Sequence, residues 1–205
     1  MTPTRLIWIF LLDAFYNGYE LIKINFIWVL LTLPVITAPA ATGGLYYATN
    51  QLAHQNVASW NIFFEGFRKY WWMSWRWLLA NVVVLIILGG GYLFYGQIQT
   101  SLGTLLQGFL MVLIAVWLLL QVYTYPLLLE QEERSFIIAL RNSLVFFLRA
   151  PGYSLSLAVV VLGLAVLSTY LRVPWFLFTA GLIAYLANRG MLHLLNTLTG
   201  EPSSR

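Results

Sequence analysis

The sequence predicts an all-α protein: a polytopic membrane helical bundle of about five transmembrane helices with two cytoplasmic interfacial amphipathic helices. Three observations carry this. Of 205 residues, 60% are hydrophobic and only 9% charged, whereas a soluble domain carries about a quarter of its residues charged to solvate its surface. Apolar runs long enough to cross a hydrocarbon core of about 30 Å recur along the chain. Between them lie two stretches rich in aromatic and basic residues, the composition of helices that lie along lipid headgroups.

Residues 5–22, "RLIWIFLLDAFYNGYELI", place Asp13, Asn17 and Glu20 at helical spacing on one face. The stretch 1–23 is therefore expected to be an N-terminal amphipathic helix, lying in the interface or packed on the bundle. The same polar residues interrupt the run after Arg5, and no small-residue cleavage site follows, so it does not read as a signal peptide.

Residues 24–195 form the transmembrane domain. Its first run, "INFIWVLLTLPVITAPAATGGL" over 24–45, has spanning length but contains Pro34 and Pro39. Each proline removes a backbone donor and disfavours helical geometry in the residue before it. Lipid offers no partner to the carbonyls thus freed. Thr32, Thr37 and Thr42 are nearby donors, and Ala40, Ala41, Gly43 and Gly44 leave room for a close helix. The expectation is a full crossing, kinked in the middle and shielded by other helices. Pro34, Thr37, Pro39, Thr42, Gly43 and Gly44 then mark either a packing surface or a substrate site. The alternative is a segment that dips in and returns at "TAPAATGG".

In 46–76, Ser59 is a candidate N-cap. Phe63, Phe64, Phe67, Tyr70 and Trp71 build an aromatic face and Glu65, Arg68 and Lys69 a polar one. The second span is 77–96, with Gly89–Gly91 as a packing surface. The third is 104–129, carrying Gln107, Gln121 and Pro126. Residues 130–150, "EQEERSFIIALRNSLVFFLRA", form the second interfacial stretch, with Ser135 as cap. Pro151 permits a fresh helix start, so 152–171 and 175–195 are the fourth and fifth spans, joined by the turn 172–174. The tail 196–205 is expected to be disordered. Each half reads as a proline-bearing span, a Ser-led aromatic helix and another span, a hint of internal repetition (compare "SWNIFF" with "SFIIAL").

Basic residues set the expected orientation. Arg68, Lys69, Arg76, Arg134, Arg141, Arg149, Arg189 and Arg205 fall on one side and Arg172 on the other, so the amphipathic segments and C-terminus are assigned to the cytoplasm. Five crossings would put the N-terminus outside, against which Arg5 and Lys23 weigh.

"NFIWVLLTLPVIT", "ATGGLYY" and "FFEGFRKYW", and later "YPLLLEQEERSFIIALRNS", resemble the YesL-like membrane proteins of bacteria, the DUF624 family. The elements that match are Asn25, Trp28, Leu33, Pro34, Thr37, Tyr46, Tyr47, Phe63, Phe64, Phe67 and the basic pair after it. The chain departs where the family reads Thr-x-Gly-Pro-Ala, because here Pro39 directly follows "TA". The resemblance implies a multi-pass bacterial inner-membrane protein encoded beside carbohydrate-uptake genes. It implies no catalytic residues.

The chemistry-bearing residues support no enzyme. His54 and His193 are the only histidines and lack a second ligand at i+3 or i+4, and there is no cysteine, so neither a metal nor another cofactor is expected. No serine stands in a Gly-x-Ser-x-Gly setting, and "GGG" at 89–91 lacks the lysine of a phosphate loop. A net charge of +4 without a basic run excludes nucleic acid as a partner class. The acidic cluster Glu130, Glu132 and Glu133 reads as a solvated helix start, or else as a receiver for a basic partner or a cation, and Asn81, Gln107 and Gln121 as amides that bridge helices or line a path. The partners expected are the bilayer and another membrane protein, such as ABC-transporter subunits, with Phe63, Phe67, Arg68, Phe136 and Arg141 as contact candidates. The competing expectation is a small transporter with its site around 33–44.

Overall fold

The computed structural model describes residues 3–171 and 174–199, and every element among them is helical. Helices α1 (Pro3–Tyr16) and α2 (Gly18–Thr32) are nearly continuous: Asn17 N donates to the Asp13 carbonyl and Leu21 N to the Asn17 carbonyl, each at 3.1 Å. The chain then turns over 33–37 and enters α3 (Ala38–Ala53), which holds Pro39 in its first turn.

This turn reverses the chain. Trp28 Nε1 donates to Thr42 Oγ1 at 3.2 Å, although fourteen residues of continuous helix would separate them by about 21 Å. The run 24–45 is thus an antiparallel helix pair rather than one kinked crossing, and the dip-and-return alternative describes it. The prolines explain why. Pro34 stops α2, and Pro39 suits a helix start, where no intrahelical partner is lost. Leu33, Val35 and Ile36 stand exposed at the tip.

Helix α4 (Trp60–Lys69) is capped by Ser59, whose hydroxyl accepts from Ile62 N at 3.4 Å. The chain continues through α5 (Trp71–Gly96), α6 (Ser101–Glu130), α7 (Phe136–Arg149) and α8 (Pro151–Leu171), then a π-helical turn (Trp175–Thr179) and α9 (Ala180–Thr199). Ser135 precedes α7 but its side chain makes no cap bond, contrary to expectation. Residues 196–199 continue α9 instead of opening a disordered tail. The rest of that tail and most of the turn at 172–174 lie outside the described residues.

Among the described residues three helices are long and apolar enough to cross a membrane: α5, α6 and α8. Only 6%, 6% and 28% of their apolar windows are buried inside the protein. A helix apolar on all sides that its own fold leaves uncovered needs lipid. The chain is therefore built as a membrane protein. The expected fifth span forms α9, which packs inward and serves as the axis of the bundle. Ala184, Tyr185, Leu186, Ala187, Asn188 and Met191 are all buried against α1, α2, α3, α6 and α8.

Two of the amides within the spans, Asn81 and Gln121, bridge α5 and α6. Trp117 Nε1 donates to Asn81 Oδ1 and Trp77 Nε1 to Gln121 Oε1, both at 3.0 Å. The two halves also share a device. After a single-residue break, α5 follows α4 and α8 follows α7. The fourth residue past each break is a serine bonded to a tyrosine of α6: Ser74 to Tyr125 at 2.7 Å and Ser154 to Tyr123 at 3.1 Å.

Candidate functional site

The densest polar chemistry lies where α1, α3, α6 and α9 meet. Asn188 is fully buried in α9. Its Nδ2 donates to the Tyr46 carbonyl at 3.1 Å and to Thr49 Oγ1 and the Ala184 carbonyl at 3.0 Å. Its Oδ1 accepts from Asn50 Nδ2 at 3.4 Å. Asn50 Nδ2 also donates to Glu130 Oε1 at 2.7 Å, and His54 Nε2 lies 2.9 Å from that same oxygen. One residue beyond Asn188, Arg189 donates from Nη1 to the Ala53 carbonyl at 2.9 Å and from Nη2 to Asp13 Oδ2 at 3.0 Å. Tyr185 Oη donates to the same Asp13 oxygen at 3.4 Å.

Local rules place each group. Asn50 and His54 are four apart at the end of α3, so both face Glu130, the last residue of α6. Tyr185 and Arg189 repeat that spacing on α9 and both reach Asp13. The carboxylate beside His54 raises its pKa, chiefly through their hydrogen bond and against the effect of burial. The network consists of two acid–base pairs, Asp13–Arg189 and Glu130–His54, joined through Asn188 and Asn50. It is a structural clamp in which Glu130 favours the protonated form of His54. Among the described residues no group of three His, Cys, Asp or Glu is placed to hold a metal ion.

None of these contacts was legible in the sequence. Asp13 reads as the polar side of an amphipathic helix, His54 as a histidine without a second ligand nearby and Glu130 as part of an acidic cluster. The adjacent Asn188 and Arg189 inside an apolar run were the available signal, but their partners lie 136 to 176 positions away.

The residues singled out over 33–44 surround the helix reversal. Thr37 Oγ1 donates to the Leu31 and Pro34 carbonyls, and Thr42 Oγ1 donates to the Ala38 carbonyl at 3.0 Å while accepting from Trp28. Pro34 lies in the turn and Pro39 in the first turn of α3. Gly43 and Gly44 are packed shut. A Cβ on Gly43 would sit 2.4 Å from Ser74 Oγ, and one on Gly44 would sit 2.7 Å from the Phe63 carbonyl oxygen.

The five contact candidates separate by exposure. Phe63 is fully buried beneath Gly44, which corrects its expected place on an outer face. The inner side of α4 is Phe63, Gly66 and the following Tyr70, at helical spacing. Arg68 and Arg141 are exposed, and Phe67 and Phe136 are half-buried.

Residues 21–96, from α2 through α5, match the family described as protein of unknown function, DUF624. Over that stretch the chain is similar to DUF624 proteins. The matched region supplies the helix reversal, both packed glycines, and Tyr46, Thr49, Asn50 and His54 of the polar network. Asp13, Glu130, Asn188 and Arg189 come from outside it and complete the clamp. No curated protein and no solved structure matches the chain.

Proposed function

We propose that this protein is a non-enzymatic accessory or assembly subunit of the bacterial inner membrane. In this reading its C-terminus faces the cytoplasm and it works beside a carbohydrate-uptake system, with ABC-transporter subunits as the partner class. One observation carries the reading. The interior around 38–50 holds the close-packed Gly43 and Gly44 and the internally bonded Asn188 of α9, while α4 and α7 keep apolar side chains outward. Trp60 is 67% exposed, Ile137 77% and Leu148 67%, with Arg68 and Arg141 exposed on the same helices. Such a body can present surfaces to a neighbour, and Gly43 and Gly44 of the expected substrate residues are packed against Ser74 and Phe63. The YesL-like resemblance supports the link to sugar uptake.

The test is mild-detergent co-purification from the native membrane, read by mass spectrometry, with Arg68→Glu and Arg141→Glu as a paired variant. A permease or ATPase subunit recovered with the native chain and lost with the variant is expected. Recovery of neither subunit with the native chain would overturn the reading.

A small transporter is the second reading, favoured by the helix reversal at 33–37, because broken helices are where transporters place substrates. Sugar or oligosaccharide uptake by the purified chain in vesicles would establish it. Absence of both uptake and binding would remove it.

A further inference from the structure

A groove of about 520 Å³ lies between the start of α5 and the link from α6 to α7. Lys69, Arg76 and Arg134 line it, with Glu133 as the one carboxylate. Among the described residues the ion pairs are Lys23–Glu20, His54–Glu130 and Arg189–Asp13, so none of the groove cations has a carboxylate partner. Two of them share one aromatic ring instead: Lys69 Nζ lies 5.5 Å and the Arg134 guanidinium 4.7 Å from the centre of buried Tyr70. Both charges are thereby held at the groove while their hydrogen-bond donors remain available. Arg134 takes this position with a left-handed backbone, φ 48°, a conformation disfavoured for a side chain of its size.

A second, independent feature converges on the same groove. Ser135, Phe136 and Ile137 line it, and they are the N-cap and first turn of the fourteen-residue α7. The Ser135 side chain makes no cap bond. The first amides of α7 and the Ser135 hydroxyl are thus available where the helix dipole favours an anion. The third feature is position. Trp72, 73% exposed, and Trp77 line the groove at the start of the apolar helix α5, and indole rings at the end of an apolar helix mark headgroup depth.

We propose that this groove binds a phosphodiester of net negative charge, of the kind carried by an anionic glycerophospholipid headgroup. Lys69, Arg76 and Arg134 neutralise the phosphate, and the α7 N-terminus with Ser135 orients its oxygens. Three cations to one carboxylate favour an anionic headgroup over a zwitterionic one.

The test uses the full chain in detergent and in vesicles. Phosphatidylglycerol titrated into phosphatidylcholine is expected to raise the thermal midpoint, and brominated-tail phosphatidylglycerol to quench tryptophan fluorescence. Lys69→Gln and Arg134→Gln are each expected to weaken the response about tenfold, since each removes a charge-assisted contact, and Arg134→Lys to weaken it less. Arg149→Gln, at the far end of α7, is the control and keeps the full response. Inorganic phosphate in detergent forms the second arm: an equal midpoint shift with the same variant pattern supports the phosphate site and assigns it to a free phosphate. Equal losses in Arg149→Gln and Arg134→Gln, or no response to either ligand by the native chain, would overturn the site. Lys69→Gln keeps the proposal decidable should Arg134→Gln fail to fold.

Discussion

Arg189 Nη2 lies 3.0 Å from Asp13 Oδ2, joining α9 to α1 across 176 positions of sequence. The same guanidinium holds the Ala53 carbonyl through Nη1, so one side chain ties three helices together. Arg189→Ala is expected to lower the thermal midpoint more than Asp13→Ala, because it also orphans that carbonyl. The Asp13 side chain is 40% exposed, so the pair itself is worth on the order of 1 kcal/mol or less. A double-mutant cycle on Asp13 and Arg189 measures that coupling directly. Strictly additive losses would show that the pair contributes nothing.

Asn188 has the opposite character, being fully buried with every bond internal. Asn188→Ala leaves Thr49 and Asn50 with fewer partners inside the bundle. The expected cost is about 1–3 kcal/mol, read by thermal unfolding in detergent. Asn188→Leu should do no better, since it replaces an amide that fits by bulk that cannot bond.

The glycines divide into two kinds. Gly44→Ala would drive a methyl to 2.7 Å from a backbone oxygen, and Gly43→Ala would meet Ser74 Oγ at 2.4 Å. Each is expected to destabilise by about 1–3 kcal/mol. Pairing Gly43→Ala with Ser74→Ala should recover part of the loss, because the nearest obstacle is that hydroxyl. A Cβ on Gly89 meets nothing within 4 Å, so Gly89→Ala should be neutral or stabilise by up to about 1 kcal/mol.

Hydrogen bonding to Glu130 raises the His54 pKa above its ordinary 6.5. The folded state therefore binds this proton more tightly than the unfolded chain does. The stabilisation is complete below the unfolded value and is lost as pH rises through the folded one. The difference in thermal midpoint between the native chain and His54→Gln should be larger at about pH 6 than at about pH 9. A difference that stays constant across that window would show that the pair does not titrate.

The reversal at 33–37 makes a topological prediction. Asp13 and Ala53 meet on the same arginine, and Phe10 lies 6.1 Å from the His193 ring. The N-terminal segment therefore packs beside the end of α3, an arrangement that predicts one side for both where five crossings would part them. The chain has no cysteine, so single cysteines at Thr4 and Asn56, both exposed, report cleanly. A membrane-impermeant maleimide is expected to reach both from the same side. Labelling from opposite sides would restore a full first crossing.

The sequence by itself determined the helical class, the lipid surroundings and the punctuation of the chain. Those follow from local quantities: too few charges for water, apolar runs of spanning length, a serine before an aromatic helix, prolines where helices stop and start. It also marked Gly43 and Gly44 as places of close approach and Asn81 and Gln121 as candidate bridges. Only the tertiary structure decided that Pro34 and Pro39 turn the chain back, because a kink and a reversal cost the backbone the same bonds and differ only in what packs alongside. It alone placed Phe63 inside and made the last long helix the axis of the bundle. The clamp of Asp13, Asn50, His54, Glu130, Asn188 and Arg189 belongs to that second kind. Asp13 reads locally as a polar face and Glu130 as part of an acidic cluster, and the bonds that join the six arise from packing between segments far apart in the chain.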